Sequence, residues 1–421
     1  MGPRAKPEDD NFGWGRGRNN NNTSLHFETL MTAETAKQFE ALEAQATRIM
    51  QVFSRAGYEA VSPALIQPAG VFLDVIGEAL RARTYVFTDP DGDELCLRPD
   101  LTVPACRLHL ERNSAPETPA RYCYNGAAFR FQPQGADTAH PREFRQAGIE
   151  SFGGTDAEQA EAETVATMLE ALKSAGLNGF QMRFGDLGMF SALLRSVDIP
   201  ERWRQRLRHH FWRPEAFRAE LQRLTEAPAG LMKSIPASLN AALDPDDPAA
   251  SEAAVQAYLD SEGIDVIGVR PVSEITANLL AQVADGRADP LSPTTSRVIE
   301  RYINLRITAG SAALAIKDLA REEGVDVADA LQAYQRRLEL LRRAGVDIEN
   351  AEFSAEFGRT LEYYTGFVFE VFMPTASAFS PIAGGGRYDS LMKAVGAVHD
   401  VPAVGAAIHT ERLLAAAGGR P

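Results

Sequence analysis

GRTLEYYTGFVFE, residues 358–370, places a cation (Arg359), a carboxylate (Glu362) and two adjacent tyrosines (Tyr363 and Tyr364) directly before a run of strand character. Val368, Phe369, Val371 and Phe372 are the residues of a core strand. The tyrosines therefore fall at the edge of a buried pocket. Phenol hydroxyls and a carboxylate can pair ring nitrogens while a guanidinium pairs a carboxylate, so the group suits a small zwitterionic ligand of aromatic size. An ordinary strand with a tyrosine at its corner fits the same residues, and the rest of the chain has to decide.

Upstream, Arg121–Phe131 (RYCYNGAAFRF) and Glu143–Phe152 (EFRQAGIESF) read as two strands joined by the polar loop QPQGADTAHPR, with Arg130, Gln146 and Glu150 directed inward. Before them, TYVFTD and ELCLRP flank PDGD, a hairpin with turn chemistry at its centre. The segment from Tyr58 to Glu78 is broken by Pro63 and Pro68 and reads as an edge strand leading to a short helix. A helix is expected from Thr35 to Ala56, closed by Gly57, and another from an Asp156 cap through Lys173, stopped by Gly176. GFQMRFGD follows as a further strand. Downstream, the triplet Gly384, Gly385 and Gly386 permits close backbone approach and by itself suggests a turn.

Between about Met189 and Gly345 the texture becomes helical, and strands are expected to resume only at about Asp347. Residues Glu201–Leu224 carry seven arginines interleaved with Trp203, Phe211 and Trp212. A solvated helix face around buried aromatics and a partner or RNA surface are both compatible with that pattern. The first 30 residues mix Gly, Asn, Pro and charge without periodicity and read as disordered or added sequence.

The bulk numbers narrow the function classes. The chain has 421 residues, is 45% hydrophobic and carries a formal net charge of -14, which disfavours a polyanionic partner. Cys96, Cys106 and Cys123 form no CxxC pair, so buried thiols are expected rather than disulfides or a zinc site. No apolar run approaches the ~18 residues of a membrane span and no hydrophobic signal region opens the chain, so a cytoplasmic location is expected.

Taken together in order, four blocks resemble the catalytic core of histidyl-tRNA synthetase, a class II aminoacyl-tRNA synthetase. LRPDLT (residues 97–102) resembles the family's LRPEGT, FRF with EFRQAGIESFG resembles motif 2, RTLEYY resembles RGLDYY, and GGGRYD is shared. The resemblance covers about 35–188 and 350–416. It implies an α+β fold with a class II synthetase-like antiparallel sheet flanked by helices and an inserted helical subdomain. The expected divisions are 31–188 and 346–421 for the core and 189–345 for the insertion, with no anticodon-binding domain.

The resemblance also implies a histidine pocket. Asp100 and Thr102 would hold the amino group, Gln146 the carboxylate side, Glu150 and Tyr364 the imidazole beside Tyr363; Tyr388 would close the pocket and Arg359 would face the carboxylate or a phosphate. Arg130 takes the place of the motif 2 arginine that binds the nucleotide α-phosphate. Two departures set this chain apart. Gln132 stands where motif 2 has a carboxylate, and His409 replaces the first glycine of Gly-Leu-Glu-Arg, although Arg412 is kept. The nucleotide site is therefore expected to be vestigial.

A histidine pocket with an altered nucleotide site and no tRNA-reading domain resembles the regulatory subunit family of ATP phosphoribosyltransferase. That family works with a short-form catalytic subunit at the first step of histidine biosynthesis. The resemblance implies a non-catalytic subunit that takes no cofactor and no metal, activates that partner and takes part in feedback by L-histidine. It also implies a homodimer, through residues about 55 to 75, within a hetero-oligomer. A histidyl-adenylate-forming synthetase paralogue and a scaffold with a vestigial pocket are the alternatives.

Overall fold

The computed structural model describes residues 35–73, 78–132, 141–226, 235–264, 271–358, 363–374 and 381–418. The extension over 1–30, most of the loop after Gln132, Arg359 and Glu362 lie outside them.

Helix Ala36–Arg55 begins where expected, because Thr35 and Gln38 exchange hydrogen bonds in a capping box. The next segment gives a two-residue edge strand, β1 (Glu59–Ala60), then β2 (Ile66–Pro68) and a short helix, Ala69–Leu73. The hairpin pairs β3 (Tyr85–Thr88) with β4 (Glu94–Leu97), and Asp89 Oδ1 accepts from the backbone N–H groups of Asp91 and Asp93 to fix its turn. With β2 these strands form a small three-stranded sheet.

The main sheet carries the rest. β5 (Ala120–Phe129) and β6 (Glu143–Phe152) form a long antiparallel pair, followed by β7 (Gln181–Asp186), β8 (Arg306–Thr308), β9 (Glu352–Ser354), β10 (Phe367–Phe372), β11 (Ala383–Arg387) and β12 (Ala403–His409). Among the described residues nine strands pair in the order β1-β5-β6-β12-β11-β10-β7-β9-β8. Only β1/β5 and β7/β9 are parallel. The core strand read from GFVFEVF is β10, which pairs with both β11 and β7. Ala147 and Ile149 on one face join a large core with helices Ala36–Arg55 and Ala157–Ser174. The opposite face carries Tyr122 and Phe152 together with Tyr363, Tyr364 and Tyr388.

Three expectations need correction. The glycine triplet is not a turn but part of β11, buried throughout. A Cβ at Gly385 would stand 2.1 Å from the Gly405 carbonyl oxygen, so that strand can approach its neighbour only without side chains. Strands return before Asp347, since β8 pairs with β9 at the sheet's edge. The arginine-rich segment, helices Glu201–His210 and Pro214–Glu226, is only in part a solvated face: Arg208 and Arg218 are exposed over the buried Trp203 and Phe211, whereas Arg202, Arg206 and Arg223 turn to acids of the same chain.

Arg202 and the Trp203 indole donate to Asp285 Oδ1, and Arg206 donates to Asp285 Oδ2 at 2.6 Å and pairs with Glu220 at 2.9 Å. Arg223 also bonds Glu220, and Arg218 pairs with Glu356. Asp285, its side chain only 4% exposed, is tolerated in the interior because several donors surround it. All three cysteines are buried thiols. Among the described residues no helix is long and apolar enough to cross a membrane, and no cluster of potential metal ligands occurs.

Candidate ligand pocket

The pocket is built on β6. Period-two alternation puts Phe144, Gln146 and Glu150 on one face of that strand. Glu150 is fully buried, with both oxygens engaged. Tyr124 Oη, from β5, donates to Oε1 at 2.8 Å, and Tyr388 Oη, just beyond β11, donates to Oε2. Burial pushes the Glu150 carboxyl up, to about 7, while the Tyr388, Thr102 and Tyr124 hydroxyls pull it back down and the Asp100 charge adds to the rise. Opposite Glu150 in the register is Gly405 of β12.

Asp100 lies at the start of helix Thr102–Arg112, 3% exposed, and its Oδ1 accepts from Val103 N–H at 3.2 Å. Oδ2 is buried with no hydrogen-bond partner. Burial raises this carboxyl too, opposed first by the Arg130 guanidinium. Gln146, 5% exposed, likewise keeps Oε1 buried and unpartnered. Two acceptor atoms in an interior with no donor are costly by on the order of 1–3 kcal/mol each, a cost that a ligand with several N–H donors removes.

Three tyrosines pack together beside Glu150. Tyr363 and Tyr364 are each 7% exposed, with ring centroids 4.9 Å apart, and Tyr388 meets them edge-on at 5.7 and 6.4 Å. Burial drives the Tyr363 and Tyr388 hydroxyls well above the usual tyrosine range, so they act as donors and not as phenolates.

At the other end of β6, Arg130 and His409, two of the residues assigned to the nucleotide site, meet Phe144. Arg130 stands 5.0 Å from the ring centroid and the His409 imidazole lies 4.9 Å away, inclined by 31°. Arg130 donates to the Pro99 carbonyl at 2.9 Å. Burial pulls its guanidinium down to about 10, opposed by Asp100 and reinforced by Arg83 and Arg412, which leaves it charged at neutral pH. Arg412 donates to the Pro381 carbonyl. Gln132 accepts from Arg83 and donates to the Pro141 carbonyl at 3.0 Å. His409 thus occupies ring surface of Phe144 that the family's glycine would leave open.

The structure therefore gathers Asp100, Thr102, Tyr363 and Tyr388 around Glu150, with Tyr364 packed on Tyr363 and Tyr388; Gln146 shares the Glu150 face of β6, and Arg359 falls outside the described residues. Sequence reading missed Tyr124 and Gly405. Both depend on strand register, which no local motif encodes.

The strand order and the pocket define a class II synthetase-like core of the histidyl type. The histidyl-tRNA synthetase family model matches residues 33–265 and 274–413. Two solved structures share the fold. One is a Bacillus halodurans ATP phosphoribosyltransferase regulatory subunit/histidyl-tRNA synthetase (TM-score 0.63, 21% identity, 92% of this chain and 82% of that one). The other is a histidyl-tRNA synthetase from Nostoc (TM-score 0.60, 17% identity, 92% and 75%).

Sequence similarity narrows the assignment. The ATP phosphoribosyltransferase regulatory subunit of Brucella anthropi is 34% identical over 356 residues, spanning 84% of this chain and 92% of that protein. That of Brucella canis is 32% identical over 361 residues, spanning 86% and 93%. The chain belongs to the ATP phosphoribosyltransferase regulatory subunit family.

Proposed function

We propose that this chain is a non-catalytic subunit that binds free L-histidine in the pocket around Glu150, activates a short-form catalytic ATP phosphoribosyltransferase subunit by assembly, and passes histidine occupancy to it as feedback. The observation that carries the ligand reading is the pair of unpartnered buried acceptors, Asp100 Oδ2, whose charge acts on Glu150, and Gln146 Oε1, on the same face of β6 as the twice-bonded carboxylate of Glu150. An α-ammonium supplies three N–H donors to these acceptors and an imidazole supplies a further one to Glu150, with the Gln146 amide on the ligand's carboxylate side. Arg359 is proposed to meet the ligand's carboxylate. The family name supplies the partner, and histidine biosynthesis follows from it.

The arrangement around Phe144 supports a non-catalytic role. The His409 ring lies on that ring and Gln132 is bonded elsewhere, so adenylate formation is not the chemistry proposed here. The net charge of -14 argues against tRNA as partner. A homodimer is proposed through the region 55–75, supported by Leu65, Ile66, Val86 and Phe87, exposed apolar side chains of the small sheet and its approach.

Isothermal titration of the whole chain with L-histidine tests the ligand reading. Saturable binding of L-histidine, with histidinol and phenylalanine much weaker, is expected. Equal heats for all three, or none, would overturn it.

A further inference from the structure

Behind the pocket runs a buried chain of ion pairs for which the proposed role has no use. Helix Ala328–Arg343 sends Arg337, 5% exposed, into the interior. There Nε donates to Glu161 Oε2 at 2.5 Å and Nη1 to Asp186 Oδ2 at 2.8 Å, with the guanidinium 4.7 Å from the Phe367 ring centroid. The other Glu161 oxygen accepts from Arg387 Nε, and Arg387 also donates to Asp389 Oδ1 at 2.9 Å and to the Ala157 carbonyl at 2.9 Å. Asp389 Oδ1 also accepts from Ala403 N–H at 2.8 Å, and the Ala403 carbonyl accepts from Tyr388 N–H at 2.9 Å. Arg387 and Asp389 are the two chain neighbours of Tyr388, whose hydroxyl rests on Glu150.

Buried ion pairs are weak sources of stability, since apolar residues of the same volume commonly do as well, but they fix one geometry. A guanidinium makes that fixing strict. Its donors leave in a planar fork, so Arg337 can satisfy Glu161 and Asp186 together from only one seat of its helix. In a close-packed interior a displacement of that seat is carried onward and is not absorbed locally.

We propose that Arg337, Glu161 and Arg387 are positioning residues for the pocket: through them the seat of helix Ala328–Arg343 holds the Tyr388 hydroxyl on Glu150 and so sets the pocket's affinity for its ligand. A partner that shifts this helix would then change ligand affinity without touching the pocket. The inference rests on the histidine reading only for the identity of that ligand.

The test compares Arg337→Lys, which keeps the charge but loses the fork, and Glu161→Gln, which keeps the shape but loses the charge, with the whole wild-type chain. Arg336→Ala, on the same helix but in exposed pairs with Asp156 and Glu158, is the control. Each variant is checked by thermal melting, and histidine affinity is read by calorimetry. We expect folded Arg337→Lys and Glu161→Gln proteins that bind histidine about tenfold more weakly, and an Arg336→Ala protein that binds as wild type. Arg337→Lys binding as wild type, with charge alone sufficing, overturns the proposal. Should Arg337→Lys fail to fold, Glu161→Gln decides by the same criterion.

A second readout needs no ligand: the carbon-13 carboxyl titration of Glu150, assigned with Glu150→Gln. A raised midpoint in the variants shows that the Tyr388 hydroxyl has been loosened, and an unmoved midpoint overturns the proposal. If the wild-type chain takes no histidine, the functional reading falls and this titration still decides the positioning role.

Discussion

Glu150 and Gly405 sit opposite each other on β6 and β12 so closely that a Cβ on Gly405 would stand 1.6 Å from Glu150 Oε2. The carboxylate therefore lies over a bare backbone, where Tyr124 of β5 and Tyr388, just beyond β11, reach it.

Replacing Gly405 by alanine must push the carboxylate off Tyr388. The displaced carboxylate loses its place at the ligand's imidazole, so Gly405→Ala is expected to lose histidine binding beyond detection and to destabilise the fold by about 1–3 kcal/mol. Calorimetry and urea unfolding read the two effects.

Asp100→Asn keeps an oxygen for the Val103 N–H but removes the carboxylate charge that the unpartnered Oδ2 presents. Stability should change little, while histidine affinity should fall by about 10- to 100-fold, the value of a charge-assisted hydrogen bond. An affinity within twofold of wild type would remove Asp100 from the ligand's amino group.

Glu150 also makes the stability of the chain sensitive to pH. Its carboxyl is raised from 4.5 to about 7, so between those values the folded chain holds a proton that the unfolded chain has released. Stability from this group is present below pH 4.5 and is lost as the pH rises through 7. Relative to Glu150→Gln, the wild-type chain should lose on the order of 3 kcal/mol between pH 4.5 and pH 8. Urea midpoints across that range check it, and parallel curves for the two proteins would contradict it.

Removing the imidazole from Phe144 separates the two halves of the site. His409→Ala is expected to cost about 1 kcal/mol from the lost ring contact while histidine affinity stays as in wild type. A large fall in affinity would mean that the Phe144 end and the Glu150 end are not independent.

Much of this is legible in the chain because it is local. The Thr35 capping box, the Asp89 turn and the β-branched and aromatic run that makes β10 each declare themselves within a few residues. Tyr363, Tyr364 and Tyr388 come into view through ordered blocks that resemble a known family. What stays hidden depends on pairings distant in the chain. Tyr124 reaches Glu150 only because β5 and β6 pair in one register, and Asp285 collects Arg202, Trp203 and Arg206 from about 80 positions upstream. The glycine triplet misleads for the same reason, since its turn-like composition serves a close strand contact that only the sheet order creates.

The most direct test of the regulatory reading is phosphoribosyl transfer from phosphoribosyl diphosphate to ATP by the short catalytic subunit of the same organism, measured with and without this chain across a histidine titration. The account predicts that adding the chain raises the rate and confers or sharpens histidine inhibition, and that Asp100→Asn preserves the activation while blunting the inhibition. A rate and a histidine response indifferent to the chain would contradict it.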